Sequence, residues 1–335
     1  MSLTNKIPAM VCAAAIGLAV NSAAADPITF CIDSLTGNNV VAVNHQSIIG
    51  DDRGGIALSQ TGAYYTGDSA TVRHDQANIA NQSSIGRRDD GIVYTVGDKQ
   101  LYSLGTSATT SIQGFSGATS TITHLRQLDD AGQSTGTSIA LSQGITLPSF
   151  SCCSSANSGV FAGWDSVTIF AQTSRSSFTA TGDVFKIDVS TGNVSNLGSL
   201  TFDAMYSENW AFWGVAEFFG GEDYLTYVGP NGDGTVRRTR VSDGTTTTIA
   251  SFGSGYTGLS DMATIAVDPT SGRWYWHAEG TPQFAQSTGV PSNEVFGYAD
   301  ATFTVELMQV PEPGTLAFLG LGLAGIGYAR RKRAA

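Results

Sequence analysis

The sequence predicts an all-β fold, and both composition and local pattern support this prediction. Glycine makes up 40 of the 335 residues, and glycine favours turns while it disfavours helices. Between residues 26 and 309 no long pattern of period 3.6 occurs, whereas short runs rich in β-branched and aromatic residues recur between turn sequences. The hydrophobic content of 41% is sufficient for a core, so we expect a folded body of short strands.

The clearest strand pattern lies between residues 210 and 252. Four runs separated by Gly-, Asp- and Asn-rich turns predict four consecutive antiparallel strands, at Trp210–Phe219, Tyr224–Val228, Thr235–Val241 and Thr245–Phe252. A second series starts about 50 residues later and predicts strands at Met262–Val267, Arg273–His277, Val295–Tyr298 and Phe303–Leu307. Residues 91–104 and 182–193 each predict a compact hairpin.

Recurrence of a four-stranded unit every 40 to 50 residues or so is typical of a β-propeller. At that period residues 26–309 would hold about six blades, and five or seven also fit because the repeats are degenerate. A β-sandwich or two small β domains are the alternative. The segment Ser134–Ser158 is rich in Ser and Gly and poor in strand pattern, so we expect a long loop there.

The charge of the chain excludes one class of partner. The net charge is −11 and only 17 residues are Lys or Arg, whereas phosphate backbones are bound by clusters of such residues. We therefore expect no nucleic-acid partner.

The first 25 residues predict a secretory signal peptide. A single Lys6 precedes the apolar run Ala9–Val20, and small residues at Ala23 and Ala25 suit signal peptidase. We expect cleavage between Ala25 and Asp26, with residues 26–309 forming the exported all-β domain.

The last 26 residues, 310–335, carry three signals in a fixed order. A Pro-Glu-Pro motif is followed by an apolar run and then by basic residues; the motif is Val310, Pro311, Glu312 and Pro313, and the basic tail is Arg330, Arg331, Lys332 and Arg333. The apolar run Gly314–Ala329 predicts one C-terminal transmembrane helix, extended by snorkelling of the basic side chains. The basic tail would stay on the cytoplasmic side, so the body would lie outside the inner membrane.

This combination resembles the PEP-CTERM sorting signal. The resemblance implies processing by an exosortase, a membrane-embedded cysteine transpeptidase of Gram-negative bacteria that often make exopolysaccharide and form biofilm. It also implies a transient membrane anchor and then a place at the cell surface or in the extracellular matrix. It implies nothing about the fold of residues 26–309.

Three cysteines remain after removal of the signal peptide, namely Cys31, Cys152 and Cys153. In an oxidising compartment pairing is expected. Cys31 could pair with either of the other two, which would tie the start of the body to its middle, and a strained bond between Cys152 and Cys153 is the less favoured alternative.

No metal or cofactor site is predicted from the sequence. The four histidines, at positions 45, 74, 124 and 277, stand singly without the spacing of a zinc motif. Loop carboxylates could bind Ca²⁺, although no calcium motif supports this; they are Asp51, Asp52, Asp89 and Asp90. The Asn231–Gly234 sequence lacks the first Asp and the closing Glu of a calcium loop, so it indicates a β-turn.

No catalytic residue is predicted either, because neither a nucleophile elbow nor a phosphate loop occurs. The carboxylates that lie near aromatic residues are Glu208, Glu217, Glu222 and Glu279. Aromatic residues that could stack on sugar rings, but that alternate as core residues do, are Tyr206, Trp210, Phe212, Trp213, Phe218 and Phe219.

Two functions from different classes fit the sequence. The first is a non-enzymatic surface or matrix protein that binds extracellular polysaccharide, which predicts no cluster of titratable groups in a central channel. The second is an exported hydrolase or lyase acting on extracellular polymer, which predicts that titratable residues from different blades converge in one pocket.

Overall fold

The computed structural model describes residues 28–45, 55–66, 71–85, 92–106, 120–147, 159–175, 179–203, 213–229, 234–252, 264–280, 283–290 and 294–307. Within these ranges the chain forms β-strands and a short 3-10 helix, Gln283–Thr288. The prediction of an all-β body is therefore confirmed.

Most strands form five four-stranded antiparallel units, which we call modules one to five. Module one contains β3 (Gly55–Leu58), β4 (Gly62–Thr66), β5 (Thr71–Asp75) and β6 (Asn78–Ser84). Module two contains β7 (Ile92–Tyr94), β8 (Leu101–Thr106), β9 (Ser120–Leu128) and β10 (Ser134–Leu147). Module three contains β11 (Gly159–Ala162), β12 (Ser166–Arg175), β13 (Thr179–Asp188) and β14 (Val194–Asp203). Module four contains β15 (Trp213–Phe219), β16 (Glu222–Val228), β17 (Thr235–Arg240) and β18 (Thr246–Ser251).

Module five joins the two ends of the body. It contains β19 (Thr264–Asp268), β20 (Arg273–Glu279) and β21 (Glu294–Leu307), and its fourth strand is β2 (Val41–Asn44) from the start of the chain. The register places Val41 opposite Tyr298 and Asn44 opposite Val295. The remaining strand, β1 (Ile28–Leu35), pairs with β21 and also meets β15, with Phe30 opposite Phe218.

The first strands of the five modules contact one another in cyclic order, from β3 to β7, β11, β15 and β19 and back to β3. Two of these contacts, β11 with β15 and β15 with β19, are parallel pairings that join modules three to five into one 13-stranded sheet. A cyclic series of four-stranded sheets is β-propeller-like. It does not match the alternative of two sheets that face each other in a sandwich.

Burial decreases from the first strand of a module to the last. Every residue of β3, β7, β11 and β19 is buried, whereas β10 and β18 are mainly exposed. Strand β13 alternates, with Ala180 and Val184 buried between half-buried neighbours. The first strand of a module is therefore a continuous buried run. A strand in the middle of a module, such as β13, instead alternates, because only one of its two faces is fully buried.

Several strand predictions are confirmed by the pairings. The series from residue 210 to residue 252 is module four, with four sequential antiparallel strands. The hairpin predicted at residues 91–104 is β7 and β8, and the one at 182–193 is the β13–β14 connection.

Three expectations differ from the structure. Five modules are described, which lies within the predicted five to seven but is one fewer than the preferred six, because β2 completes module five and β1 joins the same sheet. The strands predicted at Val295–Tyr298 and Phe303–Leu307 are one continuous strand, β21. The predicted loop at Ser134–Ser158 begins with the 14-residue strand β10, whose outer position tolerates a Ser- and Gly-rich sequence because few of its side chains are buried; residues 148–158 lie outside the described ranges.

The predictions for both termini lie outside the described residues, since the structure describes neither residues 1–27 nor residues 308–335. In the part of the chain that is described, no helix has the length and apolar character needed to cross a membrane. The signal peptide and the transmembrane helix therefore stay predictions.

Candidate functional site

Three of the four histidines meet where modules one and five face each other. His74 lies on β5 of module one, His277 lies on β20 of module five, and His45 directly follows β2. Glu294, the first residue of β21, adjoins them, because the backbone amide of His45 donates a hydrogen bond of 3.0 Å to the Glu294 carbonyl. We call these four residues the His–Glu cluster. All three imidazoles are buried, with 4% exposure at most.

Hydrogen bonds fix the tautomers of two imidazoles in the His–Glu cluster. The Nδ1 of His74 lies 2.8 Å from the Ile79 carbonyl oxygen, which can only accept, so this Nδ1 carries the proton. The Nε2 of neutral His74 is then an acceptor, and it receives the hydrogen bond of 3.0 Å that His45 Nδ1 donates. The Nε2 of His45 consequently carries a lone pair and no proton.

Burial keeps these imidazoles neutral. Desolvation is the largest cause in each case, and it lowers the pKa of His45 to about 3, with the His74 charge as a further cause. It lowers the pKa of His74 to about 4 against an opposing effect of the hydrogen bond to Ile79. It lowers the pKa of His277 well below 6.5, assisted by His45 and His74. At neutral pH each ring therefore offers a lone pair and bears no charge.

Three buried ring nitrogens of the cluster lack a hydrogen-bond partner among the described residues. Among the described residues, neither His45 Nε2 nor the two ring nitrogens of His277 have a hydrogen-bond partner, although all three atoms are buried. His277 Nε2 lies 3.9 Å from Glu294 Oε2. One ligand atom each from His45, His277 and Glu294 can be chosen so that all lie within 4.8 Å of one another. The three side chains are therefore close enough to approach a single ion.

Aromatic packing holds the imidazole rings in place. The Tyr65 ring stacks on His277 with centroids 3.9 Å apart, and Phe296 stacks on His74 at 4.0 Å. The His45 ring meets Tyr65 edge-on at 4.9 Å. Because these side chains are buried on both sheets, the imidazoles cannot turn away from one another without disturbing the core.

A second buried polar group lies in module four. The Glu217 carboxylate is fully buried and accepts hydrogen bonds from Arg238 Nε at 2.9 Å and Nη2 at 2.6 Å. It also accepts from the Ile32 amide at 2.6 Å and from the Thr226 hydroxyl. Arg238 Nη2 donates to the Ile32 carbonyl at 2.6 Å. This network ties β1 to β15 and β17, so its role is to hold the sheet together.

The sorting signal was expected at residues 310–335, and residues 309–333 match the family model of the PEP-CTERM protein-sorting motif. The chain carries a PEP-CTERM sorting motif. This motif implies that the chain is exported, that it passes through a membrane-anchored stage, and that an exosortase processes it. No curated protein matches the chain significantly.

Three solved structures illustrate a general likeness to this PEP-CTERM chain. An α-L-arabinofuranosidase from Clostridium thermocellum is 11% identical at a TM-score of 0.40, over 80% of this chain and 98% of that one. An exo-β-1,3-galactanase from Phanerochaete chrysosporium is 10% identical at 0.41, over 83% and 70%. A xylose-bound glycoside hydrolase from Xanthomonas citri is 10% identical at 0.38, over 78% and 90%. These TM-scores are too low to assign a fold or an activity.

The structure describes four side chains among the carboxylate and aromatic candidates considered from the sequence. Glu217 forms an ion pair with Arg238. Glu222 is half-buried at the turn between β15 and β16. Phe218 and Phe219 are half-buried under the protein's own cations, Lys186 and Arg238, each 5.0 Å from a ring centre. These two rings are therefore covered, which disfavours them as a platform for sugar rings.

Cys31 is a half-buried thiol that forms no disulfide with any described residue. Burial, with the neighbouring Glu217 charge as a further cause, raises its pKa to about 11, so the thiol is not activated as a nucleophile. Its predicted partners Cys152 and Cys153 lie outside the described residues, and the pairing stays a prediction.

Other predicted positions also lie outside what the structure describes. These are the cleavage residues Ala25 and Asp26, the motif and tail residues from Val310 to Arg333, the loop carboxylates Asp51, Asp52, Asp89 and Asp90, the turn residues 231–233, and Glu208, Tyr206, Trp210 and Phe212. The backbones of Trp213 and Glu279 are described, but their side chains are not.

The His–Glu cluster is the site that the sequence analysis missed. Its histidines were expected to stand apart because no two of them are close in the chain. They meet because β2 closes module five and places His45 beside β21, while modules one and five are neighbours in the cycle. No local spacing in the sequence carries that information.

Proposed function

We propose that this chain is an exported, exosortase-sorted protein of the cell surface or extracellular matrix, with a non-enzymatic binding or structural role linked to exopolysaccharide. The observation that carries the proposal is the PEP-CTERM motif, whose Pro311 follows the last residue of β21, Leu307, by four positions. The proposal includes removal of the signal peptide after Ala25 by signal peptidase, a transient transmembrane helix, and surface release in the manner of biofilm proteins.

The proposed body is a five-bladed β-propeller in which each module is a blade. The cyclic contacts of the five first strands support this, as does the completion of module five by a strand from the other end of the body. Such closure is a means by which a propeller avoids exposed sheet edges at its ends.

The outer strands support a role in contact with neutral, hydrated polymer. Exposed positions of β10 are mainly Ser and Thr, as in Ser134, Thr135, Thr137 and Ser138. Charged residues make up only 13% of the chain, against about 25% in an average soluble protein. A surface of hydroxyl groups can form hydrogen bonds with sugar hydroxyls. Because it carries few charges, it does not discriminate between polymers by their charge.

The first test concerns sorting in the native host. The change is Pro311→Ala, Glu312→Ala and Pro313→Ala together, with Pro269→Ala, in the β19–β20 turn, as a control. Intact-mass spectrometry should show the wild type and the control starting near Asp26 and ending near Pro313, and the triple variant retaining its full C-terminal length. A wild-type protein that keeps Arg333 would mean an ordinary anchor and would refute surface release.

The second test concerns binding. Cosedimentation of the processed protein with exopolysaccharide from the same host should retain the protein in the polymer pellet, at a level that salt changes little because few charges are involved. Protein that stays in the supernatant at all polymer concentrations would contradict the binding role and leave the sorting result intact.

The exported hydrolase or lyase is the second candidate function, and one observation favours it. Titratable side chains from modules one and five do converge in the His–Glu cluster, as expected of a site shared between blades. The test is release of new reducing ends or unsaturated sugars from the host polymer. Release by wild-type protein that is lost in the His277→Gln variant would support this candidate, and an inactive wild-type protein would refute it.

A further inference from the structure

We propose that His45, His277 and Glu294 bind one divalent transition-metal ion, for which Zn²⁺ is the best match, and that His74 positions His45 for this role. The site would connect the end of the closing strand β2 to β20 and β21. Nothing in this inference depends on export or on the proposed binding of polysaccharide.

The donor set fits the ion. Two imidazole nitrogens and one carboxylate oxygen are ligands that Zn²⁺ commonly takes, with a fourth position left for water. Tetrahedral zinc with bonds of 2.0 to 2.2 Å holds neighbouring ligand atoms about 3.3 to 3.5 Å apart. The 3.9 Å between His277 Nε2 and Glu294 Oε2, and the upper limit of 4.8 Å for the whole set, require only a small contraction around the ion.

The tautomers fit as well. The Ile79 carbonyl fixes the proton of His74 on Nδ1, His74 Nε2 accepts from His45 Nδ1, and the lone pair of His45 Nε2 is left for the ion. A metal-bound histidine usually donates its other N–H to such a neighbour, which orients the ring and makes it a better ligand. Here the chain of hydrogen bonds is present in the protein alone.

Burial without partners also points to a ligand. A buried polar atom normally has a hydrogen-bond partner. His45 Nε2 and His277 Nε2 have none among the described residues, and a ring nitrogen of each histidine lies within 4.8 Å of the other and of a Glu294 carboxylate oxygen. A cation between them would bind both lone pairs, and the Glu294 carboxylate would offset part of its charge.

The test uses the full-length protein purified in detergent and stripped with EDTA. Zn²⁺ is titrated in competition with a chromophoric chelator, and bound metal is counted by mass spectrometry of the metal. The variants are His45→Gln, His277→Gln, Glu294→Gln and His74→Gln. The control is His124→Gln, since His124 lies on β9 of module two and is outside the cluster.

Wild type and the His124→Gln control should bind one Zn²⁺ per chain. His45→Gln, His277→Gln and Glu294→Gln should weaken binding by at least 100-fold. His74→Gln should keep one ion per chain but bind it 10- to 100-fold more weakly, as expected for a residue that acts through a ligand. Zinc at a hundredfold excess over its Kd should raise the Tm of the wild type by about 5 °C, and not that of His277→Gln.

Two results would overturn the proposal. One is a stripped wild-type protein that binds less than half an ion per chain at saturating zinc. The other is a full ion per chain in His277→Gln and Glu294→Gln with unchanged affinity. Circular dichroism in EDTA reports whether each variant folds. If a histidine variant does not fold, the zinc affinity of the near-isosteric Glu294→Gln variant tests the proposal.

Discussion

The ion pair between Glu217 and Arg238 gives the sharpest prediction about stability. In Arg238→Met the Glu217 carboxylate would lose its cationic partner and keep neutral donors such as the Ile32 amide and the Thr226 hydroxyl, while its side chain stays fully buried. An uncompensated buried charge of this kind costs about 3 to 5 kcal/mol. That is a large share of the roughly 5 to 15 kcal/mol by which domains are stable.

The assay is urea unfolding followed by tryptophan fluorescence. Arg238→Met should lower the midpoint while leaving the slope unchanged, since the surface exposed on unfolding is nearly the same. The double variant Glu217→Leu with Arg238→Met removes both charges and should recover part of the loss. Recovery should be incomplete, because the Ile32 amide loses the Glu217 carboxylate as acceptor and the Ile32 carbonyl loses Arg238 as donor.

A cost of less than about 1 kcal/mol for Arg238→Met, the range of an exposed ion pair, would contradict a buried uncompensated charge at Glu217. A double variant less stable than the single one would contradict it as well. Arg240→Met is the matched control, because Arg240 pairs with Asp243 across an exposed turn and its loss should cost little.

Three further predictions concern other parts of the body. Tyr94→Phe should destabilise the protein by about 1 to 3 kcal/mol in urea unfolding, because the Tyr94 hydroxyl donates to the Val267 carbonyl at 2.9 Å and accepts from its amide at 2.8 Å; an unchanged midpoint would contradict this. Gly182→Ala should lower the free energy of unfolding by about 1 to 3 kcal/mol, and therefore the Tm, since the new Cβ would lie 2.4 Å from the Ala171 carbonyl oxygen. A variant with the Tm of the wild type would refute the clash. Metal-free protein should lose stability as the pH falls from 7 to 5, by about 2 kcal/mol per histidine of the His–Glu cluster, because the unfolded state takes up protons below about 6.5 while the folded state keeps lowered pKa values; pH-independent unfolding would show that these rings are solvated.

The sequence predicted well those features that depend on neighbours in the chain. Module four was predicted strand by strand, because each of its strands pairs with the next and each turn is marked by Gly, Asp or Asn. The PEP-CTERM motif was likewise found because its parts are consecutive.

Features that depend on closure of the cycle were not predictable in the same way. The pairing of β2 with β21 joins segments with no local signal between them, so the number of blades was predicted only from the length of residues 26–309 and the repeat period. The His–Glu cluster arises from that same pairing. The exposed strand β10 was missed for another reason, since an outer strand needs little apolar character and its sequence resembles a loop.

The completion of module five by β2 links folding to the order in which the chain crosses the membrane. Strand β2 emerges before modules one to four, whereas its partner β21 emerges after them and just ahead of the sorting motif. Strand β2 therefore lacks its partner until the rest of the body has been delivered. Pairing between such distant segments is slow, and an unpaired edge strand is prone to aggregation in the meantime. Tethering by the tail would give each molecule time to pair β2 with β21 before release. It would also keep the unpaired strands of neighbouring molecules apart.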